Sequence, residues 1–118
     1  MLTTISIALV ALLQVLFMVL EMFLWKKPLG RRIFGLSRGQ ADLTAVLAAN
    51  QGLYNGFLAA GLCWGLLAGA DDGKNIVIFF LACVIVAGVF GAFTANRSIL
   101  WIQALPGAIA LGLVLLQG

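Results

Sequence analysis

Seven residues, Asn50–Gly56, form a polar and glycine-rich patch inside an apolar stretch that runs from about Leu43 to Ala70. The stretch is long enough to cross a bilayer, where an unpartnered amide or phenol costs several kcal/mol. We therefore expect the patch to face protein or trapped water rather than lipid. Its side chains are hydrogen-bonding groups that can hold a small molecule or ion.

Glu21 is the acidic residue that falls within a predicted span, four residues before Trp25. At 1.5 Å per residue it lies roughly 6 Å inside that tryptophan. Gln14 is seven residues earlier and shares its helical face. On the second predicted span, Asn50 and Tyr54 share a face and lie at depths comparable with those of Glu21 and Gln14, and we favour them over Gln51 and Asn55 as the site pair of this span.

Polar side chains of all four predicted spans fall in one layer. Gln51 and Asn55 share a second face of the second span, and Thr94 and Gln103 come from the third and fourth. We expect a polar chamber that is open to the cytoplasm and binds an unidentified small molecule. The predicted ligand-binding residues are Glu21, Gln14, Asn50, Tyr54, Asn55 and Gln103.

Several functions fit these residues. In one, the chamber binds and translocates a small solute or ion, with Glu21 as its charged or proton-accepting group. In another, Glu21 reaches the interface and pairs with Lys26, Arg38 or Arg97, while the amides only join helices. A membrane-embedded enzyme acting on a lipid-like or quinone-like substrate, with Glu21 and Tyr54 as acid–base groups, is a third interpretation. A structural membrane subunit is a fourth.

The chain has no histidine, and its two cysteines are Cys63 and Cys83. The common zinc-binding sets cannot be assembled from these residues within one chain. We predict no metal and no cofactor. The two cysteines lie at similar depths in neighbouring predicted spans, so a disulfide is one interpretation. We favour the other, in which both are small buried apolar residues.

Composition points to the membrane. Of 118 residues, 64% are hydrophobic and 9% are charged, too few charges to cover a soluble globule of this size. The sequence predicts an all-α, integral membrane four-helix bundle with short connections and a single domain over residues 1–118. The predicted spans cover about 2–25, 43–70, 76–95 and 99–116.

The basic residues indicate the orientation. Five of the seven lie in one connection, namely Lys26, Lys27, Arg31, Arg32 and Arg38. Cytoplasmic connections are enriched in such residues, so this one is predicted to be cytoplasmic, with Arg97 on the same side. Both termini are then external, N-out and C-out. The same charges can contact membrane lipids, and no nucleic-acid partner is predicted.

The connection Pro28–Gln40 contains a proline and several glycines that interrupt a continuous helix, and we expect it to lie on the membrane surface. Ser37 and Gln40 have the spacing of a capping box, which predicts that the second helix begins near Arg38. Asp42 is then expected in its first turn.

Glycines and a proline shape the later spans. Gly52 and Gly56, and then Gly61, Gly65 and Gly69, recur every four residues, and at least one of these stripes should be a helix–helix contact. The second stripe also predicts a homo-oligomer.

Residues 71–75, Asp-Asp-Gly-Lys-Asn, are predicted to form the turn between the second and third spans, on the external side. Within the fourth span, Pro106 cannot donate to the carbonyl of Ile102. It should therefore kink the helix near Gln103.

Short motifs in all four spans resemble a known family. They are Leu20–Trp25, Phe34–Leu36, Ala48–Gly56, Gly88–Thr94 and Gln103–Pro106. Together they resemble the bacterial membrane proteins grouped as domain of unknown function 1304. The resemblance implies four membrane helices in a bacterial inner (plasma) membrane and no established activity. Where such sequences often carry histidine this chain has Gln14, so a metal or proton role at that position does not carry over.

Overall fold

The computed structural model describes residues 1–94 and 100–117, giving the backbone alone at positions 70, 94 and 100. The described residues form helices and no strand, which confirms the predicted all-α class. The elements are α1 (Leu2–Met22), α2 (Pro28–Phe34), α3 (Arg38–Leu67), α4 (Ala70–Thr94), a π-helical turn (Leu100–Ala104) and α5 (Leu105–Leu116).

The chain divides into two compact units. The first unit contains Met1–Leu13 and the described part of Leu58–Gly118, and the second contains Gln14–Phe57. Apolar residues three and four apart on each helix place one face of that helix in the core of the first unit. That core consists of Ile7, Val10 and Ala11 from α1, Leu62 from α3, Val77, Leu81 and Val84 from α4, and Ala110 and Val114 from α5.

In the first unit, glycines allow α3 and α4 to approach closely. A Cβ atom added to Gly73 would overlap the carbonyl oxygen of Gly65, and one added to Gly61 would overlap the ring of Phe80. This confirms the predicted helix–helix contact at the second glycine stripe. Because α4 of the same chain packs against Gly61 and Gly65, the stripe no longer supports a homo-oligomer.

The connection between α3 and α4 differs from the prediction. It consists of Ala68 and Gly69, and Gly69 has a φ of 95°, a left-handed conformation that favours glycine. Asp71 and Asp72 lie in the first turn of α4. The predicted turn at residues 71–75 is therefore wrong. Two carboxylates at a helix N-terminus interact favourably with its partial positive charge, so they start α4 rather than form the loop.

Small residues also bring α4 against the last part of the chain. A Cβ atom on Gly88 would lie 2.7 Å from the backbone nitrogen of Ala104, and one on Gly107 would lie 3.2 Å from Cγ1 of Val84. Pro106 sits in the first turn of α5, directly after the π-helical turn. The helix type changes directly before this proline, whose missing N–H leaves one carbonyl of the preceding turn without its usual helical donor. The predicted kink stays a prediction.

In the second unit, α3 presents small residues to α1. Ala41 and Ala48 are buried, and a Cβ atom on Gly52 would lie 2.7 Å from Cγ of Met22. A Cβ atom on Gly56 would lie 2.8 Å from Sδ of Met18. The first glycine stripe is therefore also a helix–helix contact, made within the chain.

Between α1 and α3 the chain turns through the short helix α2. Lys27 is extended, as expected before a proline, and Pro28 opens α2. Gly35 ends α2 in the left-handed conformation at φ 65°. Helix α1 stops at Met22, three residues before the end of the predicted first span.

The start of α3 agrees with the predicted capping box. The backbone N–H of Gln40 donates to Oγ of Ser37 over 3.1 Å, and the N–H of Ser37 donates to Oε1 of Gln40 over 2.9 Å. Helix α3 begins at Arg38 as predicted. Asp42 lies beyond the first turn, so its predicted interaction with the helix N-terminus is wrong.

Among the described residues, two helices are long and apolar enough to cross a membrane, Leu2–Met22 and Asp71–Phe93, and a shorter apolar helix covers Trp101–Leu116. Only 28% of the most apolar 18-residue stretch of the first helix is buried within the chain, and 22% of that of the second. Helix α3 is longer, at 30 residues, but it is not apolar enough to be counted with these two helices. These two helices suggest that the protein associates with a membrane.

Candidate functional site

Glu21 lies in the last turn of α1 and is 6% exposed. Asn55, in the middle of α3, is 8% exposed and donates a hydrogen bond from Nδ2 to Oε1 of Glu21. Both residues belong to the second unit. The structure thus joins two of the predicted ligand-binding residues in a buried carboxylate–amide pair.

The position of this pair follows from the small face of α3. A Cβ atom on Gly52 would lie 3.0 Å from Cβ of Glu21, so the backbones of α1 and α3 meet at this level. Asn55 is three residues further on and shares the face of Gly52. The face that packs against α1 therefore carries Asn55 to the carboxylate.

The described residues provide Glu21 with no ion pair. Lys26 and Arg38, two of the three predicted partners, are exposed, and the third, Arg97, lies outside the described residues. Glu21 is instead buried with a neutral amide as its hydrogen-bond donor. Of the second predicted interpretation, the part in which an amide joins two helices is observed for Asn55, and a pair between Glu21 and Arg97 stays a prediction.

Asn50 and Tyr54, the predicted site pair of α3, are exposed and bond to each other. The distance from Nδ2 of Asn50 to the Tyr54 hydroxyl is 3.4 Å, and Tyr54 is 55% exposed. Gln51 is exposed too. Glu21 and Tyr54 thus have different hydrogen-bond partners, Asn55 and Asn50. The enzyme interpretation, in which Glu21 and Tyr54 are acid–base groups, stays a prediction.

The remaining predicted residues are Gln14 and Gln103. Gln14 is fully buried on α1, seven residues before Glu21. Gln103 is buried in the π-helical turn and belongs to the first unit. The side chain of Thr94 lies outside the described residues. The predicted layer of polar groups from four helices therefore stays a prediction.

A contact that sequence reasoning missed joins the connection after α1 to the second turn of α3. Nε1 of Trp25 donates to Oγ1 of Thr44 over 3.0 Å, and the Trp25 ring lies 4.7 Å from that of Phe34. Thr44 in turn donates to the carbonyl of Gln40 over 2.7 Å. The sequence held a signal for this contact, because Trp25 and Thr44 lie near the two ends of the connection between the first and second predicted spans.

The cysteines are free thiols. Cys63 is exposed and Cys83 is partly buried, so neither matches the favoured prediction of a fully buried apolar residue. The disulfide is not formed. Within residues 1–94 and 100–117, His, Cys, Asp and Glu do not form a group of three or more that could hold a metal ion.

The described residues define a helical protein with a buried carboxylate–amide pair, and its two exposed apolar helices suggest association with a membrane. The sequence profile of a family described as protein of unknown function (DUF1304) matches residues 8–115, and the chain belongs to this family. It is also 30% identical over 112 residues to an uncharacterised protein, YpaA, of Lactococcus lactis subsp. lactis (strain IL1403), covering 93% of each chain. No solved structure matches the chain significantly.

Proposed function

We propose that this chain is an integral membrane protein with four spans that binds a small solute or ion in its second unit. The observation that carries the proposal is Glu21, a buried carboxylate whose described hydrogen-bond donor is the neutral amide of Asn55. A charge buried without a partner is costly, and a positively charged ligand would remove that cost. The favoured ligand is therefore a small cation or cationic solute, and its translocation is the stronger form of the proposal.

Exposed apolar surface supports the membrane part of the proposal. Phe79, Val86 and Phe90 lie on one face of α4 at intervals of seven and four and are each more than 60% exposed. Soluble proteins rarely expose apolar surface on this scale, whereas a lipid-facing helix does. With the basic connection on the cytoplasmic side of a bacterial inner membrane, both termini are external.

Ligand binding can be tested with the full chain purified in detergent. The probes are the chloride salts of Na⁺, K⁺ and methylammonium. The Tm in each salt is compared with the Tm in the chloride of the bulky cation N-methylglucamine at equal ionic strength. We expect at least one small cation to raise Tm above the bulky reference. In Glu21→Gln this difference should vanish, because the amide has no charge to attract the cation.

Gln51→Ala is the matched control, since Gln51 is exposed on the helix that carries Asn55. It should keep the cation-dependent difference in Tm. The readout is the difference between cations within one variant, so a change in the basal stability of Glu21→Gln does not affect it. Equal Tm values for all cations with the wild-type chain would contradict the proposal, as would an unchanged response in Glu21→Gln.

A further inference from the structure

A cleft of about 580 Å³ opens in the first unit. Its lining comes from the first turns of α1, the end of α3 with the connection after it, the start of α4 and the end of α5. Small-molecule sites have volumes of about 300–1,000 Å³. The apolar part of the lining includes Ile7, Val77 and Val114. The polar part consists of Thr3, Thr4, Asp71, Lys74 and Gln117.

Two opposite charges lie side by side in this cleft. Asp71 and Lys74 are three residues apart in α4, so they occupy one face of the helix. Among the described residues neither of them forms an ion pair or a side-chain hydrogen bond. A carboxylate and an ammonium group are therefore both available to a ligand in the cleft.

Thr3 adds a buried polar group. The residue is 8% exposed and lines the cleft. Its hydroxyl makes no hydrogen bond with the residues that the structure describes, and it is not among their fully buried polar atoms that lack a partner, so it stays accessible from the cleft. A hydroxyl can both donate and accept, so Thr3 can complete the binding of either charge of a ligand.

We propose that the cleft binds a small zwitterion that carries an ammonium group and a phosphate or carboxylate. The ammonium group donates to Asp71, while the anionic group accepts from Lys74 and the Thr3 hydroxyl. The apolar residues contact the short carbon segment between the two charges. A free metabolite and the headgroup of an ethanolamine phospholipid share this chemistry, and the site does not depend on Glu21.

The experiment measures binding to the full chain in two arms. In the first, O-phosphoethanolamine is titrated calorimetrically against the detergent-purified protein. In the second, the protein in nanodiscs of phosphatidylethanolamine or phosphatidylglycerol is analysed by native mass spectrometry for retained lipid. Binding in the first arm identifies a free zwitterion, and selective retention of phosphatidylethanolamine alone identifies a headgroup. Either result supports the proposal.

Three variants test the residues. Asp71→Asn and Lys74→Met should each weaken binding by roughly tenfold, the effect of losing one charge-assisted hydrogen bond. Asp72→Asn is the matched control: it removes the same charge from the same helical turn, but Asp72 does not line the cleft. Glu21→Gln should also leave this binding unchanged, which separates the cleft from the site proposed above.

The proposal is overturned if neither arm detects binding. It is also overturned if Asp71→Asn and Asp72→Asn weaken binding equally, since a general loss of negative charge would then explain the effect. Gel filtration and circular dichroism of each variant establish that it remains folded. A folded Lys74→Met variant with wild-type affinity would likewise exclude the proposed contact with the anionic group.

Discussion

Glu21 and Asn55 meet because Gly52 removes the side chain that would otherwise separate α1 from α3 at that level. The sequence named both residues as site residues but favoured Asn50 and Tyr54 as the pair. Depth along a helix can be counted from the sequence, whereas the rotation of α3 about its axis cannot be counted in the same way. That rotation follows from the small residues that pack against α1.

The stability of the second unit should depend on Asn55. In Asn55→Ala the carboxyl group of Glu21 stays buried without its donor, and we expect the free energy of unfolding to fall by about 1–3 kcal/mol. The measurement is equilibrium unfolding of the purified protein in mixed micelles.

Gln51→Ala removes an amide of the same helix that is exposed and should change this free energy by less than about 0.5 kcal/mol. A double variant with Glu21→Gln should show coupling, because the two residues share one hydrogen bond. Additive effects of the two substitutions would mean that the bond contributes nothing to stability.

At the scale of elements, the sequence predicted the four long helical regions and the start of α3. Glycine, proline and the Ser37–Gln40 spacing carry direct local information about where a helix begins or ends. The α3–α4 connection was misplaced by several residues because Asp, Gly, Lys and Asn occur both in turns and in first turns of helices. Packing of Gly73 against Gly65 decides between the two, and this contact is tertiary.

Substitution by alanine should have opposite effects on stability at two glycines, one in α4 and one in α5. In Gly88→Ala the new Cβ atom would meet the backbone of Ala104 at 2.7 Å, so the helices must separate, at a cost of about 1–3 kcal/mol. A Cβ atom on Gly112 would have no atom of the described residues within 4 Å outside its own stretch of helix, and alanine should stabilise α5 by about 0.5–1 kcal/mol.

The comparison uses thermal unfolding of both variants in the same detergent. Each substitution adds one methyl group to a helix, so helix propensity favours both equally and only the space around the new atom differs. A higher Tm for Gly88→Ala than for Gly112→Ala would contradict the close contact between α4 and the π-helical turn.

For the whole molecule, composition and charge predicted membrane association and an orientation, and the two exposed apolar helices agree with the first of these. Counting spans is harder. Helix α3 has 30 residues, enough to cross a membrane. The polar patch and the glycines at its centre lower its hydropathy, so its length favours a crossing and its composition does not. Whether it crosses depends on what covers those polar groups, which composition does not record.

Topology can be measured with two single-cysteine variants, Gly39→Cys and Asn75→Cys, made in a chain whose Cys63 and Cys83 are replaced by alanine. Both positions are exposed: Gly39 is the second residue of α3, and Asn75 is the sixth residue of α4. For an N-out, C-out protein a membrane-impermeant maleimide should label residue 75 in intact cells. Residue 39 should react only after permeabilisation, because the basic connection is cytoplasmic.

Equal labelling of the two positions in intact cells would contradict the orientation. The reverse pattern would place the termini inside. Neither substitution changes a charged residue, so the basis of the positive-inside signal stays intact in both variants.

The two-residue connection between α3 and α4 also bears on how the chain is made. Helix α4 covers the backbones of Gly61 and Gly65. While the ribosome has synthesised α3 but not yet α4, this part of the α3 backbone is therefore uncovered. The groove beside these glycines is filled by α4, so α3 by itself lacks its packing partner. We therefore expect α3 and α4 to fold together as a hairpin of two helices, and a chain that ends just after Gly69 should be degraded faster in cells than the full chain.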